Sequence, residues 1–186
     1  MSTIVAISGS LRAKSFNTML LHAAVKATPA AAATVEVASI KDIPLYDGDV
    51  EANSGLPAAV LALKERIVAA DGLLLVSPEY NNGIPGVFKN AIDWLSRPSS
   101  DIGRVFGGRP VGVIGTTPGR SGTAMAQASW LPVLRALGAQ LYTGIRLEVA
   151  GAGKVFDASG SLVDETVRGL LETYMAGFAQ FVTKQH

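Results

Sequence analysis

Three runs of consecutive apolar residues constrain this chain more than any other feature of it. Ile4, Val5, Ala6 and Ile7 form the first; Leu73, Leu74, Leu75 and Val76, within residues 72–77, form the second; Val111, Val113 and Ile114, within residues 111–115, mark the third. A strand that is apolar at every position has no wet face, so these runs belong to the interior of a parallel sheet. Parallel neighbours need crossovers of roughly a dozen residues or more, usually helical and right-handed. The intervening segments supply them. Apolar residues recur at helical spacing in residues 15–27, through Met19, Leu20, Ala23, Ala24 and Ala27, and from Pro57 to Ala70, through Val60, Leu61, Leu63, Ile67 and Val68. Further helices are expected over residues 87–95 and 122–137, the latter bent or shifted at Pro132. Val167, Leu170, Leu171, Tyr174, Phe178 and Val182 define a final helix, and Ser161, three residues before Asp164, looks like its cap.

Residues 34–40 alternate like an edge strand, and a fifth strand is either Gln140-Leu141-Tyr142 or residues 145–149. Residues 41–56 and 96–109 read as irregular; the first of these exceeds the usual connection of about 2 to 6 residues and so is a candidate to cover something. The expected fold is a doubly wound α/β sheet of five parallel strands with helices on both faces. A chain of 186 residues, 48% hydrophobic, can bury one substantial core, and residues 1–186 are expected to form one domain.

Composition removes several functions. The formal charge is +1 and the basic residues form no run, which argues against nucleic acid as a partner. No apolar stretch reaches the roughly 18 to 20 residues of a bilayer span, and the first residues lack a secretory pattern. A cytoplasmic protein is expected. The absence of cysteine excludes disulfides, a catalytic thiol and thiolate-bound metal centres. His22 and His186 alone give a histidine metal site or triad almost nothing to work with, so no metal is expected.

Each apolar run ends in a polar loop. The first gathers Ser8, Gly9, Ser10, Arg12, Ser15 and Asn17 at a helix start, where amides are unpaired and the macrodipole is positive. Such a loop suits a phosphate, which a guanidinium can grip through two oxygens. One capping hydroxyl is all a helix start needs, and the clustering of several donors favours the anion. Lys14 reads as a surface charge. The second loop is Pro78-Glu79-Tyr80-Asn81-Asn82-Gly83-Ile84-Pro85-Gly86, in which Asn81, Asn82 and Gly83 suit unusual backbone angles; the third is Thr116-Thr117-Pro118-Gly119. Ligands of doubly wound sheets lie beyond the carboxyl ends of the strands. The three loops are therefore expected to converge.

The stretch Gly9-Ser10-Leu11-Arg12-Ala13-Lys14-Ser15-Phe16-Asn17, with Pro78-Glu79-Tyr80-Asn81 and Pro85-Gly86-Val87-Phe88-Lys89-Asn90-Ala91-Ile92-Asp93-Trp94, strongly resembles the NADPH-dependent FMN reductase family, particularly its quinone and chromate reductase branch. The resemblance covers nearly the whole domain. It implies a flavodoxin-like fold with strand order 2-1-3-4-5, a dimer or tetramer, FMN as cofactor, and NADPH or NADH as hydride donor. Carried over by position, it puts the FMN phosphate on Ser10, Arg12, Ser15 and Asn17, with Phe16 supplying backbone. It puts Pro78, Glu79, Tyr80 and Asn81 along the isoalloxazine edge, and Thr117 near the ring or ribityl chain.

The chemistry that follows is ping-pong, two-electron reduction of quinones, with chromate and azo compounds as further acceptors. The reactive atom is flavin N5, so no side chain is expected to be catalytic and Glu79 is expected to contribute backbone rather than acid chemistry. Tyr80 either covers the ring or packs at a subunit contact. Lys89 and Asp93 read as a surface ion pair, and Trp94 as core or interface. Arg120 and Arg146 are both candidates to attract anions at the mouth. Gly151-Ala152-Gly153 lacks the third glycine of a dinucleotide fingerprint, and the preference between NADH and NADPH stays open. An electron-transfer carrier of the flavodoxin type is the alternative, though such carriers as a family are strongly acidic. A hydrolase built on Ser10 or Ser121 lacks a G-x-S-x-G elbow.

Overall fold

The computed structural model describes residues 1–184, so His186 lies outside the described residues. In chain order, β1 (Ser2–Ser8) leads to α1 (Phe16–Ala27) and β2 (Ala33–Ala38). The short α2 (Gly48–Ser54) and α3 (Ala58–Ala69) precede β3 (Gly72–Val76), and α4 (Gly86–Leu95) follows it. A 3₁₀ turn at Ser99–Asp101 and α5 (Ile102–Val105) precede β4 (Pro110–Thr116). The chain ends with α6 (Ala124–Ala136), β5 (Gln140–Leu141), β6 (Glu148–Val149), α7 (Ala152–Val155) and α8 (Glu165–Thr183). All pairings are parallel, in the order β2-β1-β3-β4-β5, with β6 also on β4.

Strand alternation divides the core in two. Val5, Ile7, Leu73, Leu75 and Val111 face one side, against Val60, Leu63 and Ile67 of α3, Phe88, Ile92 and Trp94 of α4, and Trp130 and Leu134 of α6. Ile4, Ala6, Leu74, Val76 and Ile114 face the other, against Leu20, Leu21 and Ala24 of α1 and Leu171, Met175, Phe178 and Val182 of α8. Each such side chain contributes about 1.5–3 kcal/mol when fully buried. The doubly wound arrangement follows directly, because strands apolar on both faces must be covered on both.

Both candidates for the fifth strand pair with β4, at different heights. Tyr142 N donates to Val111 O at 2.8 Å beside β5, and Gly115 N to Leu147 O at 3.3 Å beside β6. Between them Tyr174 of α8 donates its hydroxyl to Val113 O at 3.3 Å, meeting a carbonyl that the interrupted edge strand leaves unpaired. Burial pushes this phenol's pKa well up, so it stays a donor. Gly112 makes room for it: a Cβ there would lie 2.8 Å from the Tyr174 oxygen.

Three expectations are corrected. Residues 41–56 are not wholly irregular, because Asp47 caps α2 by accepting from Asp49 N at 2.9 Å. Residues 96–109 likewise contain the 3₁₀ turn and α5. The cap of α8 is Asp164, whose Oδ1 accepts from Val167 N at 3.0 Å; Ser161 belongs to the turn before it and donates its amide to Asp157 Oδ1 at 2.9 Å. α6 continues past Pro132 to Ala136. The long connection does cover something, namely Trp94. Pro44 O accepts from Trp94 Nε1 at 3.0 Å and from Asn90 Nδ2 at 2.8 Å, while Tyr46 meets the indole edge-on at 4.8 Å. Trp94 is core, and Lys89 pairs with Asp93 on the surface at 2.7 Å.

Lys64 of α3 is fully buried. Its ammonium donates to Arg97 O and to Asp101 Oδ2, the latter at 3.0 Å, and Arg104 bridges Asp101 to Glu65. The network pins the stretch before β4 onto α3. Lys64 and then Arg104, by hydrogen bonds, hold the Asp101 carboxyl below its usual range. Lys64→Ala leaves a cavity and an unpaired carbonyl, and is expected to cost about 2–4 kcal/mol in chemical denaturation at neutral pH. A depressed folded pKa gives stability that is complete above the unfolded value of about 4 and is lost as pH falls through the folded one. The gap between wild type and a Lys64→Met variant should therefore narrow below about pH 4; a gap independent of pH would remove Asp101 from the network.

Candidate functional site

The loops after β1, β3 and β4 meet at the carboxyl end of the sheet. Gly9 N donates to Val76 O at 2.9 Å, carrying the pairing of β1 with β3 one residue further. A Cβ on Gly9 would sit 2.2 Å from the Phe88 ring, so only glycine lets the loop cross that ring. The loop then tightens on itself. Ser10 Oγ accepts from Arg12 N at 3.4 Å, and Ser15 N donates to Arg12 O at 3.2 Å. Ser15 is buried and caps α1, its Oγ accepting from Asn17 N at 3.2 Å. The amides of Phe16 and Thr18, also in the first turn, have no intrahelical acceptor. Arg12 is exposed, and its guanidinium makes no ion pair among the described residues.

Asn17 closes the site from below. Its Nδ2 donates to Thr116 O at 2.8 Å and its Oδ1 accepts from Thr116 N at 3.0 Å, so one carboxamide binds the start of α1 to the end of β4. As a donor it keeps the second hydrogen on Nδ2. Thr116 itself is 2% exposed, and its Oγ1 has no hydrogen-bond partner among the described residues. Thr117, next to it, accepts from Gly119 N at 3.3 Å and donates its amide to Val149 O at 3.0 Å.

In the loop after β3, Ser77 Oγ donates to Pro78 O and accepts from Trp130 Nε1, each at 3.0 Å, fixing the buried Pro78. Glu79 reaches across to α6. One carboxylate oxygen accepts from Met125 N at 2.9 Å and Ala126 N at 3.0 Å; the other accepts from Ser121 Oγ at 3.2 Å. Thr123, at the cap position of α6, is left-handed with φ 75° and makes no side-chain cap bond, so Glu79 caps this helix from another loop. Tyr80 and Gly83 exchange backbone bonds around Asn81 and Asn82, at φ 51° and 60°, the signature of a type I′ hairpin. The tip projects outward, leaving Tyr80 48% exposed.

The loops enclose a crevice of about 40 Å³. Of the residues singled out from sequence, Arg12, Ser15, Phe16, Asn17, Pro78, Glu79, Tyr80 and Thr117 line it. Ser10 and Asn81 do not; one shapes the first loop and the other sits on the hairpin tip. Thr116 and Pro118 line it and were not foreseen. A signal for Thr116 existed, since it is a polar residue closing an otherwise apolar buried strand. A wider recess of about 330 Å³ lies elsewhere, beside the break in the fifth strand, lined by such residues as Leu131, Leu141 and Tyr142. Arg146 belongs to that recess and pairs with Glu148 at 3.7 Å, whereas Arg120 lies next to the crevice.

Known proteins resemble this chain in sequence and fold. An NAD(P)H-dependent FMN reductase of Pseudomonas aeruginosa is 39% identical over 181 residues, covering 97% of this chain and 95% of its own. A 2-hydroxy-1,4-benzoquinone reductase of a Burkholderia species is 39% identical over 179 residues, covering 96% and 95%. Among solved structures, the flavoenzyme NAD(P)H:acceptor oxidoreductase FerB of Paracoccus denitrificans superposes with a TM-score of 0.88 at 33% identity, covering 100% of this chain and 99% of its own. The family described as NADPH-dependent FMN reductase matches residues 2–152, a span that takes in all three loops of the crevice, and the chain belongs to that family.

Proposed function

We propose that this protein is an FMN-dependent NAD(P)H oxidoreductase that reduces quinones, and that the crevice holds the FMN phosphate. The observation that carries the reading is the buried Thr116 hydroxyl, without a partner among the described residues, beside the open amides of α1 and the unpaired Arg12. A buried hydroxyl left unsatisfied costs about 1–3 kcal/mol, which an acceptor on a ligand would offset. A dianionic phosphate meets the other donors equally well, with the positive end of α1 and a guanidinium facing it. The enclosed space of about 40 Å³ suits such a head group and leaves a flat ring system to the open mouth near Tyr80.

Bound FMN supplies the hydride acceptor, its N5 atom, so the chain need supply no acid or base. Glu79 agrees with this division of labour, because its carboxylate already serves the amides of α6. Ser10 shapes the loop, while Ser15 and Phe16 offer hydroxyl and amide at the start of α1. A single open face would serve donor and acceptor in turn, which makes the kinetics ping-pong. Quinones are the acceptors, supported by the Burkholderia relative, and chromate is an opportunistic one. Self-association is supported by Met125 and Leu131, apolar and half-exposed on α6.

An absorption spectrum of the purified protein, followed by NADPH and then a quinone, tests the reading: yellow colour should bleach and recover. Bleaching only with a separate reductase would favour an electron carrier. Arg12→Ala should raise the FMN dissociation constant about tenfold to a hundredfold, since a charge-assisted bond contributes roughly 1.5–3 kcal/mol. Thr116→Val should act in two directions, weakening FMN while leaving the flavin-free protein as stable or more so; equal FMN affinity would remove the hydroxyl from the site. Glu79→Ala should lower stability by about 0.5–2 kcal/mol, as loss of a helix cap does, while the pH profile of kcat keeps its shape. A shifted profile would make Glu79 a proton carrier.

A further inference from the structure

Pro118 is shared between the crevice and an open hollow beside it, whose other walls include Gly119, Arg120, Gly151, Gly153 and Lys154. Both cations are exposed, neither makes an ion pair among the described residues, and no carboxylate lines the hollow. Several other basic residues do have partners: Arg104 pairs with Glu65, Arg146 with Glu148, Arg168 with Glu165 and Lys89 with Asp93. The backbone beneath is firm. Thr117 N donates to Val149 O, Gly151 N to Gly119 O and Ala152 N to Thr117 O, each at 3.0 Å. These bonds extend the pairing of β4 with β6 beyond the sheet, so Arg120 and Lys154 ride on neighbouring segments of one ladder. Gly119 and Gly153 project no side chain between them.

We propose that Arg120 and Lys154 seat a phosphate of the pyridine-nucleotide donor, a proposal that rests on reading the crevice as the flavin site. A donor whose nicotinamide meets the flavin must lay its phosphates over the adjoining surface, and this hollow is an adjoining surface carrying two unpaired cations. The chain has no complete glycine fingerprint for a dinucleotide, as Gly151-Ala152-Gly153 stops short of one. Anchoring therefore falls to side chains. An ammonium and a guanidinium without counter-ions match a phosphate, and their exposure makes the interaction modest and sensitive to salt.

The test compares wild type with Arg120→Ala, Lys154→Ala, the double variant and Arg120→Lys. Steady-state KM is measured for NADPH and NADH, and adenosine 2′,5′-bisphosphate is titrated calorimetrically into holoenzyme and flavin-stripped protein. Each alanine should raise KM about twofold to fivefold, as an exposed charge contact does, and the double variant about tenfold, with kcat at saturating donor and FMN content held. Arg120→Lys should retain most of the affinity, and added salt should shrink the differences. A rise confined to NADPH, with weaker bisphosphate binding, assigns the seat to the 2′-phosphate; a rise with both donors assigns it to the diphosphate bridge. Unchanged KM for both donors together with unchanged bisphosphate affinity overturns the proposal. Wild-type protein that binds no flavin would instead reject the reading of the crevice, and the bisphosphate titration would still judge the seat.

Discussion

The carboxamide of Asn17 holds the site together. Its two hydrogen bonds to the Thr116 backbone join residues 99 positions apart, in a buried setting where losing either would strand a polar group. Because Asn17 lies in the first turn of α1 and Thr116 ends β4, the clamp fixes the helix start against the adjoining strand. The first turn of α1 and Thr116 therefore line one small space. The crevice is a by-product of how the helix is tethered: the same turn that must leave amides unpaired is pulled against the end of β4.

Much of this was legible in the amino-acid order because its cause is local. The three apolar runs became β1, β3 and β4 since strands without a wet face have nowhere else to go, while Ser15, read as a phosphate ligand, caps α1. What escaped was either masked by competing local signals or had non-local causes. Asp47 and Asp164 as caps were missed, the first inside a segment rich in turn formers and the second beside a more familiar capping pattern at Ser161. The fifth strand could not be resolved because both candidate segments pair with β4, with Tyr174, more than two dozen residues further on, filling the gap. Thr116 closes an apolar strand, which is a local hint, but the burial that separates its hydroxyl from that of Thr117 is a property of the fold.

Glu79 lines the crevice, but its carboxylate serves another element. A glutamate in a ligand loop invites an acid–base role, yet its oxygens accept two amides of α6 and the Ser121 hydroxyl. The need arises from Thr123, whose left-handed backbone provides no cap bond, and Gly122 precedes it at φ 60° with a Cβ position only 2.3 Å from Glu148 O. The tight passage from β4 into α6 thus deprives the helix of its own cap, and the loop after β3 supplies one. The second loop is thereby tied to the start of α6.

This coupling sets where rigidity and freedom lie. The first loop is tied to the third through Asn17, the third to the second through Glu79, and the first rests on Phe88 through the absent side chain of Gly9. Outside this ring of contacts stand the Tyr80 hairpin and the exposed Arg12. The backbone of the crevice is thus held by cross-ties, with two exposed side chains, Tyr80 and Arg12, at its rim. Such a division suits chemistry carried by a bound group, in which position matters throughout and proton transfer by the protein does not.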